Sequence, residues 1–169
     1  SVISSWVGPK KQNQDFIFSN GQAIEVKCTT SNNKFEIKIN NEYQLDSTGL
    51  ESLHLSVYQV KRHKKNKATT FPSLPSIVEE IKEILQSDFE AKFEFEGLLL
   101  EVGYLAEAEI EYLDYGFQII NGPMIYHVDS NFPKISSASI PNEIKKVEYI
   151  LNLQKEEAYN GTINDLITI

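Results

Sequence analysis

The chain contains one cysteine, Cys28, so no internal disulfide can form, and a lone thiol builds no metal cage. No apolar stretch nears the roughly 20 residues that cross a bilayer, and the first residues lack the basic-then-apolar order of a secretory signal. A reducing cytoplasm is the compartment these absences suit. The three histidines, His54, His63 and His127, are far apart and show no zinc-ligand spacing, so structural or solvent-facing roles are expected for them. No Ser-His-Asp order, Gly-rich phosphate loop or dinucleotide fingerprint occurs. Internal repeats and low-complexity tracts are also missing.

What is present is ordinary in amount and uneven in placement. At 169 residues, 41% hydrophobic and 24% charged, the chain suits one globular domain with a sizeable core. Its net charge of −8 argues at first sight against a nucleic-acid partner. Residues 1–75, however, carry ten Lys/Arg and six Asp/Glu, while residues 76–169 carry six and eighteen. The positive half, where phosphates could dock, also holds the chemistry described next.

Hydrophobic alternation predicts strands over residues 15–18, 23–28, 35–39 and 53–60. Ser19-Asn20-Gly21 separates the first two as a hairpin turn, and Cys28, with Ile24 and Val26, is expected on an apolar core face. Residues 61–75, a basic run followed by Thr69-Thr70 and two prolines, read as a loop. A helix is expected near Ser76, where Ser76-x-x-Glu79 matches a capping box, and a second over 87–102, closed by Gly103. Residues 112–120 and 124–128 flank Asn121-Gly122 as a second hairpin, residues 145–153 form a last strand, and 154–169 read as a polar tail. Residues 1–75 thus carry the site, and 76–153 supply helices and the second hairpin. This order suggests a single α/β or α+β domain with a mixed central sheet.

The chemistry-bearing pattern is Asp15-x9-Glu25-Val26-Lys27. Side chains two apart on a strand share a face, so Glu25 and Lys27 project together. If Ser19-Asn20-Gly21 is a three-residue turn, Asp15 faces Glu25; a two-residue turn would throw it onto the other face. Two carboxylates about 5 Å apart repel by on the order of 3 kcal/mol at an effective dielectric of 20. Lys27 would offset part of this, and a hard divalent ion with oxygen ligands the rest. Asp15, Glu25 and the Val26 carbonyl are the candidate ligands, with Lys27 placed to orient water or neutralise a phosphate. The plain alternative is a surface hairpin whose charges face water.

Trp6-Val7-Gly8-Pro9, Gln14-Asp15-Phe16-Ile17-Phe18 and Gly21-Gln22-Ala23-Ile24-Glu25-Val26-Lys27 resemble the PD-(D/E)XK superfamily. More narrowly they are similar to a bacterial family of such proteins met near restriction–modification or phage-defence genes. Gln44-Leu45-Asp46 carries the likeness onward, and residues 98–104 and 132–135 fit its looser C-terminal pattern. The resemblance implies a restriction-endonuclease-like fold, metal ligands at Asp15 and Glu25, a catalytic Lys27, and Mg2+ or Mn2+ as cofactor. Such families usually place an acidic residue on a helix before the first core strand, and nothing before Asp15 is acidic here. The chain begins with Ser1, which suits a fragment lacking that helix.

Lys61, Arg62, Lys64 and Lys65 form a basic run able to grip a DNA backbone, and Lys10 and Lys11 precede the site. Gln44 is a further candidate contact, placed at a helix start. Together these features predict a magnesium-dependent DNA endonuclease acting with other restriction or defence subunits, possible as a homodimer. The alternative is a catalytically inactive DNA-binding or scaffolding subunit on the same fold.

Overall fold

The computed structural model describes residues 2–64 and 70–167. A short helix, α1 (Val2–Ser5), and a 3-10 turn over Gly8–Lys10 lead into β1 (Phe16–Ile17) and β2 (Gln22–Thr29). Next come β3 (Glu36–Ile39) and β4 (Ser52–Lys64), then the helices α2 (Leu74–Ile84), α3 (Phe89–Glu101) and α4 (Glu109–Tyr112). β5 (Tyr115–His127), β6 (Tyr149–Asn152) and α5 (Ile163–Leu166) complete the order.

The central sheet runs β1-β2-β4-β5 and is mixed: β1/β2 and β4/β5 are antiparallel, β2/β4 parallel. β3 and β6 form a second, antiparallel pair. This is the α+β architecture, flanked by helices, of a restriction-endonuclease-like domain. Ala23 stands opposite Leu53, Glu25 opposite Leu55 and Lys27 opposite Val57, so all six share one face. Ala23, Leu53, Leu55 and Val57 are fully buried there against Ile37 and Ile39 of β3, Leu151 of β6, and Leu45 and Leu153. The main core therefore lies between the two sheets, and Glu25 is a carboxylate set into that apolar face. A second cluster joins Val78, Phe95 and Leu99 of the helices to Ile3 and Trp6.

Several expected boundaries move. The basic run 61–64 is strand, not loop: β4 continues to Lys64, pairing Lys61 with Gln118 and Arg62 with Phe117. The expected hairpin at Asn121-Gly122 is instead an irregularity inside one strand, because β4 is long enough to pair with β5 on both sides of it. There Asn121 Nδ2 donates to Gln59 Oε1 at 2.6 Å. Gly122, at φ +121°, approaches so closely that an added Cβ would lie 2.7 Å from the Val57 carbonyl oxygen. α2 starts at Leu74 rather than near Ser76: Ser73 is its N-cap, Ser76 returns the hydrogen bond to Ser73 N at 2.8 Å, and Pro75 occupies the first turn, where its missing N–H costs nothing. Cys28 is exposed rather than core, because burial along its face fades from Ile24 through Val26 to the end of β2. Residues 154–167, polar in sequence, return to the sheet, with Tyr159 N donating to the Ile125 carbonyl at 2.7 Å and Leu166 buried.

Gly97 sits in mid-α3 with no atom within 4 Å of an added Cβ. Glycine there costs backbone entropy without serving a turn, so Gly97→Ala is expected to stabilise the fold by about 0.5–1 kcal/mol. Urea denaturation of the two proteins measures it; an unchanged or lower midpoint contradicts the open geometry.

Candidate active site

The β1–β2 connection closes as a three-residue turn. Phe18 N donates to the Gln22 carbonyl at 2.8 Å, Gly21 N to the Phe18 carbonyl at 2.9 Å, and Gly21 adopts φ +80°, which glycine takes without strain. Phe16 pairs with Ile24 and Ile17 with Ala23, so one further step sets Asp15 opposite Glu25. Asp15 is fixed from several directions. Its carbonyl accepts from Val7 N at 2.9 Å and Gly8 N at 3.0 Å, and its Oδ2 accepts from Val26 N at 2.8 Å. A Cβ on Gly8 would lie 2.7 Å from Asp15 Oδ1, so this carboxylate position requires glycine beside it. A residue's N–H and C=O leave a strand on the same side. The Val26 carbonyl therefore points toward Asp15, where β1 no longer covers β2.

Glu25 is 1% exposed. Burial drives its pKa up to about 7 against the opposing charge of Lys27, and the nearby Asp15 charge adds to the rise. Hydrogen bonds from the Lys27 ammonium and the Asp15 N–H oppose it. Lys27 Nζ lies 2.7 Å from Glu25 Oε1 and donates to Gln44 Oε1 at 2.9 Å. Gln44 Oε1 also accepts from Asn40 N at 2.9 Å. From the other side, the buried Gln14 donates through Nε2 to the carbonyls of Tyr43 at 2.9 Å and Asp46 at 3.3 Å. The 43–46 turn is thereby pinned to the residue before Asp15 and to Lys27 together. Asp46 is not a third acid of this group. It accepts from Ser137 Oγ and Thr48 Oγ1, each at 2.6 Å, and these bonds hold its carboxyl below the usual range.

Among the described residues the site thus sets two carboxylates beside the Lys27 ammonium, and the raised pKa of Glu25 registers chiefly its burial, which the Lys27 charge offsets only in part. Among the described residues no cluster of three or more His, Cys, Asp or Glu could hold a metal. Asp15, Glu25 and the Val26 carbonyl are nevertheless hard oxygen donors. They suit an ion such as Mg2+, which keeps several waters and takes only one or two carboxylates.

The expected nucleic-acid contacts divide. Gln44 occupies a turn rather than a helix start, and its carbonyl oxygen is turned to Lys27. Lys10 lies 3.5 Å from Glu94 of α3, and Lys11, exposed, takes a left-handed φ of 60°. Lys61 and Arg62 line a groove of about 720 Å³ with Cys28, Thr30, Val60 and Phe117, and Cys28 belongs to the face of β2 opposite Glu25 and Lys27. Arg62 is braced over the Tyr115 ring at 4.6 Å. Lys64 ends β4, and Lys65 lies outside the described residues. The histidines are less scattered than their spacing suggests. His54 and His127 are cross-strand partners with ring centroids 5.1 Å apart, and burial, then the His127 charge, lowers the His54 pKa. Sequence reasoning did not single out Gln14 or Gly8 as supports of the site. Gly8-Pro9 directly before the basic pair was the visible trace of the latter.

The DUF4420 family model, described as "Putative PD-(D/E)XK family member", matches residues 1–154. No curated protein and no solved structure matches the chain.

Proposed function

Because the chain belongs to DUF4420, a family of the PD-(D/E)XK nuclease superfamily whose members generally use divalent metal ions, we propose that it is a Mg2+- or Mn2+-dependent DNA endonuclease. The observation that carries this reading is Glu25: a carboxylate 1% exposed, in register with Asp15, its pKa raised to about 7 and the Lys27 ammonium 2.7 Å away. Apolar burial of such a group is costly and poorly compensated unless the site has a charged task.

Asp15, Glu25 and the Val26 carbonyl hold the ion. When bound, it supplies a water acidic enough to be ionised near neutral pH and offsets charge developing on the phosphate. Lys27 directs its ammonium at the attacking water or the scissile phosphate, and Gln44 fixes that ammonium by accepting a hydrogen bond from it. Lys61, Arg62 and Lys64 at the end of β4 take the DNA backbone, with Lys10 and Lys11 on the approach. The domain works in the cytoplasm with other restriction or defence subunits, and a homodimer would supply a cut on each strand.

A second reading, a DNA-binding or scaffolding subunit without catalysis, is favoured by one feature: among the described residues only two acids converge. Incubation with plasmid, with and without Mg2+ or Mn2+, separates the two. The nuclease reading expects nicked and linear DNA with the metal and none with EDTA. DNA retention without cleavage under every metal condition supports the scaffold instead.

Gly8 offers a finer test. Gly8→Ala pushes Asp15 off its bond to Val26 N without touching a ligand atom, so Mn2+ affinity by calorimetry is expected to fall about 10–100-fold. Unchanged affinity would remove Asp15 from the ion's ligands.

A further inference from the structure

The helical layer carries more apolar surface than the fold covers. α3 buries Ala91, Phe95, Leu98 and Leu99, yet Phe89, Phe93 and Leu100 are 83%, 72% and 64% exposed. At 100° per residue, positions 89, 93, 97 and 100 fall within one arc of about 80°, opposite the buried face. The stripe runs about 16 Å along the helix. Gly97 in its middle leaves open space where a side chain would stand, and Ile84, 72% exposed, ends α2 just before the stripe begins.

The stripe lies in acidic surroundings. Residues 74–103 hold eight Asp/Glu and two Lys. On α3 itself, Glu90, Glu96 and Glu101 are exposed, while Glu94 is engaged by Lys10. Three large apolar side chains held in water beside exposed carboxylates, of which Glu96 lies in the field of Lys82, are a costly arrangement for a free surface and a natural one for an interface.

We propose that this face of α3 docks a basic amphipathic helix of a partner protein. Its apolar stripe would lie along Phe89, Phe93 and Leu100, in helix-to-groove fashion. Its lysines and arginines would meet Glu90, Glu96 and Glu101, which selects the partner by charge. The same carboxylates disfavour the other occupants. A second copy packing α3 on α3 would bring acid against acid, and an anionic membrane or nucleic acid would be repelled. The proposal stands independently of the nuclease reading, because it uses the opposite charge and a different element.

Fluorescence anisotropy with the intact chain tests it. The probes are a labelled Leu/Lys helical peptide with one apolar face, a scrambled peptide of equal composition without that face, and a Leu/Glu helix. The Leu/Lys helix is expected to bind about tenfold or more tightly than either control and to weaken as salt rises. Phe93→Ser should weaken it about tenfold, as should the Glu90→Lys/Glu101→Lys pair. Both changes fall on exposed positions, and an unaltered melting temperature confirms intact variants. Equal binding of the scrambled peptide, binding indifferent to Phe93→Ser, self-association through Phe93 in sedimentation, or binding to anionic vesicles would each overturn the proposal.

Discussion

Lys27→Ala is expected to slow DNA cleavage by about a hundred- to a thousandfold, the loss typical of removing one charge-stabilising donor from a preorganised site. The argument rests on what surrounds the ammonium. Lys27 has a side chain only 12% exposed, with Nζ fixed by Glu25 on one side and Gln44 on the other. Its loss removes the donor proposed to face the reacting phosphate and also the cation that, among the described residues, pairs with Glu25. Burial already raises Glu25, and the Lys27 charge is the largest influence opposing that rise. In Lys27→Ala the carboxyl therefore stays protonated to higher pH and releases its proton to solvent less readily when a metal ion competes for it. The cleavage optimum should move upward together with the fall in rate, a signature that simple unfolding does not give. Lys27→Arg is expected to rescue poorly, since a planar guanidinium cannot sit between Glu25 Oε1 and Gln44 Oε1 as a compact ammonium does. Parent-like cleavage by Lys27→Ala would dismiss the proposed mechanism.

How much of this was visible beforehand depends on whether the determinants were local. The hairpin from Asp15 to Lys27 was legible because Ser19-Asn20-Gly21 is a short-range turn signal, but whether two or three residues turn, and so which residue faces Glu25, came only with the Phe18–Gln22 pairing. The end of β4 was hidden because Lys61, Arg62 and Lys64 suit a solvated loop, and only pairing with β5 makes them strand. Asn121-Gly122 has the composition of a hairpin turn, but a continuous partner strand overrides that preference. The start of α2 was misplaced because Ser76, at the third helical position, caps through its hydroxyl rather than through an acid. His54 and His127 meet across β4 and β5, and Gln14 and Gln44 reach the site through a turn, so no spacing rule connects them. Gly8 is the intermediate case. The Gly-Pro step announced a loop, while the crowding against Asp15 exists only once that loop is folded.

The Glu25 carboxyl should also leave a mark on stability that needs no substrate. Burial first, then the Asp15 charge, hold its pKa near 7 in the folded chain, against an ordinary value of 4.5 when unfolded. Between those values the folded state binds the extra proton, so the stability this group contributes is fully present below about pH 4.5 and is lost as pH rises through about 7. A shift of this size corresponds to about 3 kcal/mol. Asp46, whose pKa is lowered, acts in the opposite sense at lower pH. The quantity to measure is therefore the difference between the parent chain and Glu25→Gln, by urea denaturation in EDTA from about pH 3.5 to about pH 8 (about a unit beyond the window on each side). The parent is expected to lose stability relative to the variant as pH rises, with the gap widening up to about pH 7 and flat above it. Mn2+ should reverse the trend in the parent alone. An ion that binds the ionised carboxylate stabilises more at high pH and, below about pH 7, releases a proton on binding that buffer-dependent calorimetry detects. Parallel pH profiles for the two proteins would mean that Glu25 is not held out of water as the β2–β4 face places it, and the buried carboxylate on which the proposed metal site rests would be lost with it.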